Sequence, residues 1–255
     1  MTPTLAAHLS TYWTIAAIFL VALGAAIQVA VGAGLSVVCG AFLLLTLGPT
    51  LAVSVLLILN LLVSLVATAA APRLILWRDV AIVSVAALSG SLAAKAMPAV
   101  PGSMIKPITA CMLIVIAFRR PSSGKGDRVT GTLASVGFGG FISGLLTVWT
   151  ATPGPIVPVT LSQAGRTGDE IRRTMQPISI VGYGIGIACV SISNTTGALQ
   201  WAGLPLLSAG VLAGCAVGLC VRRFVRSSLV VVIVRSIALF AAVTLLGSWL
   251  NELAN

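Results

Sequence analysis

This chain of 255 residues is poor in charge and poorest in acid. Charged residues make up 8% of it, against about 25% in an ordinary soluble domain, so that class is excluded. The five carboxylates (Asp79, Asp127, Asp169, Glu170 and Glu252) all fall in or beside expected loops. A carboxylate proton relay at membrane depth is therefore missing, and a cation in transit would lack its usual counter-charge. His8 is the only histidine, and Cys39, Cys111, Cys189, Cys215 and Cys220 sit inside apolar runs without a CxxC pair. Such thiols behave as small buried hydrophobes, so neither a metal site nor a disulfide is expected, and no cofactor. Aromatic residues are 5% of the chain and none interleaves with a basic run, which removes nucleic acid as a partner despite the net charge of +10. HExxH and GxSxG are absent, which argues against a membrane-embedded enzyme.

What is present is apolar sequence. Hydrophobic residues make up 58% of the chain and its mean hydropathy is +1.11. Apolar segments fall at 12–30, 33–48, 50–70, 79–97 and 102–118. A polar linker covers residues 119–129, and further segments fall at 130–149, 155–164, 174–192, 201–221 and 227–250. This pattern predicts an all-α polytopic membrane protein without a soluble domain. Segment 155–164 is too short to cross: at about 1.5 Å per residue it falls well short of a ~30 Å core. The first 11 residues carry no Lys or Arg, so the first segment reads as a retained helix rather than a signal peptide.

Two segments look like copies. Gly24-Ala-Ala-Ile-Gln28-Val-Ala-Val-Gly32-Ala-Gly34 and Gly144-Leu-Leu-Thr-Val-Trp-Thr150-Ala-Thr152-Pro153-Gly154-Pro155 each break an apolar run, and Gly24 and Gly144 lie 120 residues apart. Ser54 and Thr174 are also 120 apart, and Trp77, Ser84, Leu88 and Gly90 match Trp201, Ser208, Leu212 and Gly214 at an offset of 124. The expected organisation is a first transmembrane repeat at 1–118, a cytoplasmic linker at 119–129 and a second repeat at 130–255.

Basic residues choose the topology. If each half crosses an odd number of times, one side receives Arg73, Arg78, Arg119, Arg120, Lys125, Arg128, Arg166, Arg172, Arg173, Arg222, Arg223 and Arg226, and the other side's loops receive none. If the first two segments of each half form one kinked span, the same 12 residues split six and six. The excess of Lys and Arg on cytoplasmic loops favours the first arrangement. It makes the two repeats of five segments inverted, places both termini outside the cytoplasm, and turns the first two segments of each into a broken or re-entrant hairpin. Lys95 and Lys106 then lie near the outer interface, where snorkelling is expected.

In this arrangement the hairpin tips approach one midplane from opposite sides. Interruptions at matching positions of two halves point to a transport site. The candidate binding residues at the tips are Gln28, Gly32, Gly34, Thr150, Thr152 and Gly154. A half-helix starting after Gly34 or Pro153 would aim backbone N–H groups at a small anion. Asn60, Gln176 and Tyr183 are polar residues of counterpart segments that could face the tips, or hydrogen-bond between helices instead. Arg235, about ten residues into the last segment, and Arg172, at the start of the eighth, are candidate anion-attracting cations. Arg173 would join Arg172 in a cytoplasmic vestibule.

The stretch Ala26-Ile-Gln28-Val-Ala-Val-Gly32-Ala-Gly34, its counterpart Ser143 to Pro155, and Ile171-Arg172-Arg173-Thr174 resemble the TauE/SafE sulfite-exporter family over nearly the whole chain. The glycine-rich triplet common after that family's first kink is here only Gly32-Ala33-Gly34. The resemblance implies a permease for sulfur-containing anions (sulfite, thiosulfate or organosulfonates), with Gln28, Gly32, Gly34, Thr150, Thr152 and Gly154 at the binding site.

The resulting expectation is an inverted-repeat secondary transporter of the inner membrane that exports a small sulfur oxyanion. Its expected partners are that anion and the lipid bilayer, with a second copy of the chain as a further candidate. The competing readings are an anion channel, a carrier for another carboxylate or oxyanion, and a non-transporting anchor subunit.

Overall fold

The computed structural model describes residues 11–32, 34–70, 75–97, 102–118, 133–150, 156–190, 192–221 and 227–254. Eleven helices and no strand occur among them. They are α1 (Thr11–Val31), α2 (Leu35–Leu47), α3 (Pro49–Ala69), α4 (Trp77–Ala96), α5 (Gly102–Phe118), α6 (Leu133–Thr150), α7 (Ile156–Gln163), α8 (Gly168–Cys189), α9 (Ile192–Gln200), α10 (Leu204–Val221) and α11 (Ser227–Ala254). Ten of these lie on the expected apolar segments. The eleventh, α9, corrects the count of five per half: its sequence, Ile-Ser-Asn-Thr-Thr-Gly-Ala-Leu-Gln, is too polar for an apolar run, and it forms where it can pack against α3 and α10.

Local sequence explains several boundaries. Pro49 opens α3 at a position where its missing N–H costs nothing. Thr167 and Glu170 start α8 with reciprocal hydrogen bonds: the Thr167 hydroxyl accepts from the Glu170 N–H, and the Glu170 carboxylate accepts from the Thr167 N–H. Stretches within α1, α3, α4 and α10 (Tyr12–Ala30, Pro49–Ala69, Trp77–Ala96 and Leu204–Val221) are long and apolar enough to cross a membrane. At 13 residues α2 is about 20 Å long, and at 8 residues α7 is about 12 Å, both short of a ~30 Å core. Phe19, Val85, Phe138 and Phe240 point outward, as lipid-facing residues do. The interior is packed with Val21, Leu35, Leu43, Leu44, Leu56, Leu57 and their neighbours.

The helices pack in interlocked pairs. The helix of the first apolar segment of each half lies against that of the fourth segment of the other, α1 on α10 and α6 on α4. Both contacts are backbone to backbone. A Cβ on Gly214 would overlap the Ala22 carbonyl oxygen, and one on Gly218 would lie 2.7 Å from that of Ala26. In the other pair a Cβ on Gly90 would overlap the Phe141 carbonyl oxygen, and one on Gly144 that of Ala87. Ser91 fastens this pair further by donating to the Gly144 carbonyl at 3.0 Å. Helices α1 and α10 run parallel, since Ile18, Ala22 and Ala26 meet Gly210, Gly214 and Gly218 in the same order.

Two other pairs run antiparallel. On α3 and α8, Leu57 meets Gly186 and Asn60 meets Tyr183. On α5 and α11, Lys106 near the start of one helix pairs with Glu252 near the end of the other, and donates to the Ser248 hydroxyl at 3.0 Å. This corrects the snorkelling expectation for Lys106. Its ammonium is buried and held by a carboxylate, because α11 runs on past the expected end at residue 250 and carries Glu252 back to it.

Candidate functional site

The first hairpin tip is built by one turn and one side chain. At the end of α1 the Gly32 N–H still donates to the Gln28 carbonyl at 2.7 Å. The backbone then takes φ +101° at Gly32, a conformation open to glycine and strained for other residues. Space is denied there as well: a Cβ would lie 3.0 Å from Arg172 Cγ. Beyond the turn, Gln28 Oε1 accepts from the Leu35 backbone N–H at 3.0 Å. That N–H is one of the four a helix start leaves unpaired, so Gln28 closes the tip on itself.

Helix α8 holds the tip from the side. Arg172 donates to the Ala30 carbonyl at 2.9 Å through Nη1 and to Asp169 Oδ1 at 3.0 Å through Nη2. A guanidinium on the last carbonyls of α1 also meets the negative end of that helix. One turn further, Gln176 Nε2 donates to the Gly32 carbonyl at 3.2 Å. Two of the sequence candidates on α8, Arg172 and Gln176, are thus brought to the tip. Arg172 arrives as a structural tie, with its charge answered by Asp169.

Behind the tip runs a buried polar chain. Asn60 Nδ2 donates to the Ser36 hydroxyl at 2.8 Å and to the Leu56 carbonyl at 2.7 Å, while Asn60 Oδ1 accepts from the Tyr183 hydroxyl at 3.2 Å. Gln28, Ser36, Asn60, Ser64, Gln176 and Tyr183 are all buried. Ser36 was the residue that sequence reasoning missed; its signal was a hydroxyl in the first turn after Gly34, facing a helix that carries Asn60.

A second tie lies at the start of α4. Arg166, between α7 and α8, holds the buried Asp79 with two bonds, Nε to Oδ2 at 2.7 Å and Nη2 to Oδ1 at 3.1 Å. The Leu76 N–H donates to Thr174 Oγ1 at 3.2 Å beside it. The first two turns of α8 therefore touch the end of α1 and the start of α4 together. Glu170, on the same turns, has its carboxyl held below the usual range by the Thr167 backbone N–H and hydroxyl.

The remaining candidates are distributed as follows. Gly34 sits at the start of α2, close under Ile27 and the Gln28 backbone. Thr150 is the last residue of α6, and its side chain lies outside the described residues, as does that of Arg235 in α11. Thr152 and Gly154 also lie outside them. Among the described residues no cluster of His, Cys, Asp and Glu could hold a metal ion.

Several apolar helices long enough to cross a bilayer, with polar side chains gathered inside around an interrupted hairpin, define a multi-pass membrane protein of the transport class. Residues 16–245 match the family described as sulfite exporter TauE/SafE, and the chain belongs to that family. It is a family of membrane transporters and not of enzymes, which makes the lipid bilayer and an anionic substrate the chain's partners. Neither a curated protein nor a solved structure matches the chain.

Proposed function

We propose that this protein is a secondary transporter that exports a small sulfur-containing oxyanion, such as sulfite or an organosulfonate, across the inner membrane. The anion binds between the two hairpin tips, with Gln28, Gly32, Gly34, Asn60, Gln176 and Tyr183 on one side and Thr150, Thr152 and Gly154 on the other. The observation that carries this reading is the tip itself. A positive-φ glycine ends α1 against the first two turns of α8, and the neutral polar side chains of Gln176, Ser36, Asn60 and Tyr183 lie directly behind it.

Two inverted repeats, at 1–118 and 130–255, are supported by the helix directions. A pair of counterpart helices runs antiparallel if the halves are inverted and parallel if they are not. The third helices, α3 and α8, run antiparallel, and so do the last, α5 and α11. The cytoplasmic loops are those rich in Lys and Arg, which leaves both termini outside. On this orientation α2 and α7 are the short returning limbs of re-entrant hairpins.

The interlocked pairs also bear on how access alternates. Because α1 is packed into α10 and α6 into α4, the two halves do not part as rigid bodies. Motion of the tips and of α8 about fixed pairs suits this packing better than rocking of one half. A channel of the same fold is the second reading. Flux of labelled sulfite into liposomes carrying the purified protein tests transport, and a reversal potential that follows the anion gradient alone would favour the channel.

A further inference from the structure

Buried hydroxyls in these helices ordinarily donate to the carbonyl one turn back, as those of Ser54, Thr109 and Thr147 do. Ser64 and Thr68 do not: their hydroxyl oxygens are buried without a hydrogen-bond partner. On the facing helix α8, Gln176 Oε1 and Arg173 Nε are buried without a partner as well. Ser64 is fully buried and Gln176 is 5% exposed. Buried polar groups are paired in the great majority of cases, and exceptions concentrated in one place call for a physical reason.

These four groups share one seam. Ser64 and Thr68 are four residues apart on α3, and Arg173 and Gln176 three apart on α8, spacings that put each pair on one helix face. The antiparallel register that sets Leu57 against Gly186 and Asn60 against Tyr183 continues to set Ser64 opposite Ser179 and Ala67 opposite Gln176. The seam therefore runs from the Asn60–Tyr183 bond to the Gly32 tip.

Its polarity is specific. Gln176 Nε2 is committed to the Gly32 carbonyl, and turning the amide over would set oxygen against oxygen. The free atom is fixed as Oε1, an acceptor that only a hydrogen-bond donor satisfies. A fully deprotonated oxyanion presents acceptors alone and would be repelled there. An oxyanion that keeps one proton fits: its O–H donates to Gln176 Oε1, its charge meets Arg173, and its other oxygens accept from Ser64 and Thr68. The smaller charge also lowers the cost of leaving water.

Resting on the sulfur-oxyanion reading above, we propose that Arg173, Gln176, Ser64 and Thr68 form a subsite that selects the singly protonated, hydroxyl-bearing form of the anion over the dianion. Each anion moved then carries one proton with it on its own oxygen. On export that proton leaves the cytoplasm with the anion, so one net negative charge crosses instead of two, without a carboxylate at membrane depth. The ionisable groups facing the seam do not replace that role: Asp79 is paired with Arg166, Asp169 with Arg172, and the Tyr183 hydroxyl with Asn60.

The test uses the full chain in lipid nanodiscs and sulfite itself as probe, with binding read by thermal stabilisation across the pH at which hydrogensulfite loses its proton. Sulfate, a dianion throughout, is the companion. The apparent affinity for sulfite is expected to fall by about tenfold per pH unit above that ionisation, and sulfate is expected not to compete. Gln176→Met is expected to flatten the slope, and Ser64→Ala to weaken hydrogensulfite binding several-fold while leaving the unliganded protein equally stable. A sulfite affinity that stays constant over the range, equal competition by sulfate, or a full slope in Gln176→Met overturns the subsite and leaves the sulfur-oxyanion reading standing. Absence of sulfite binding at every pH overturns both.

Discussion

Gln28 and Leu35 face each other across the first hairpin tip, with the side-chain carbonyl of one accepting the backbone N–H of the other at 3.0 Å. The bond gives Gln28 a task before any substrate arrives. It caps α2 in a buried place where water does not serve.

Replacing Gln28 separates that task from transport. Gln28→Leu leaves the Leu35 N–H unpaired and is expected to lower stability by about 1–3 kcal/mol as well as to stop transport. Gln28→Glu keeps the acceptor and is expected to hold the fold, while its negative charge repels the anion. Melting temperature and flux measured on the same purified variants check both outcomes. Equal stability of Gln28→Leu and the parent would remove the capping role.

The close-packed glycines give a second expectation. Gly90 and Gly214 each bring a helix onto a carbonyl of the other half. Val at either position has no space and is expected to cost several kcal/mol through overpacking, seen as loss of monodisperse protein on size exclusion. Gly137 and Gly182, with nothing within 4 Å of a Cβ, are the controls and are expected to accept Ala with little loss.

How legible these features were follows from their physics. Helix positions were readable because apolar runs and polar breaks mark them directly. The match of Gly90 with Gly214 was visible as spacing, but spacing carries no contact, so their shared role against α6 and α1 came only from the fold. The partners of Lys106 and Arg172 were not legible for one reason: Glu252 and Ala30 lie 146 and 142 residues away in sequence, and a charge read without its partner looks free. Helix α9 was hidden because it is held by packing rather than by its own hydropathy. Gln176 and Tyr183 on α8 were legible as polar residues in an apolar segment, whereas the missing partners of Ser64 and Gln176 were not.

The start of α8 has a pH signature outside the membrane. The Glu170 carboxyl is held below its ordinary range by Thr167, so it is more readily ionised folded than unfolded. Its contribution is present above the ordinary carboxylate pKa of about 4.3 and is lost as pH falls through the lower folded value. Glu170→Gln keeps the reciprocal cap and removes only the charge. Thermal melts are expected to show the parent as the more stable at neutral pH, with the difference closing under acid conditions. A difference that persists or grows on acidification would contradict the cap as its origin.

The central claim is that a sulfur oxyanion crosses this protein between its two tips, and counterflow of labelled sulfite in proteoliposomes tests it most directly. The expected result is saturable exchange by the parent chain, lost in Thr152→Val while that variant remains folded and inserted. Exchange no faster than in protein-free liposomes, or a full rate in Thr152→Val, would contradict it.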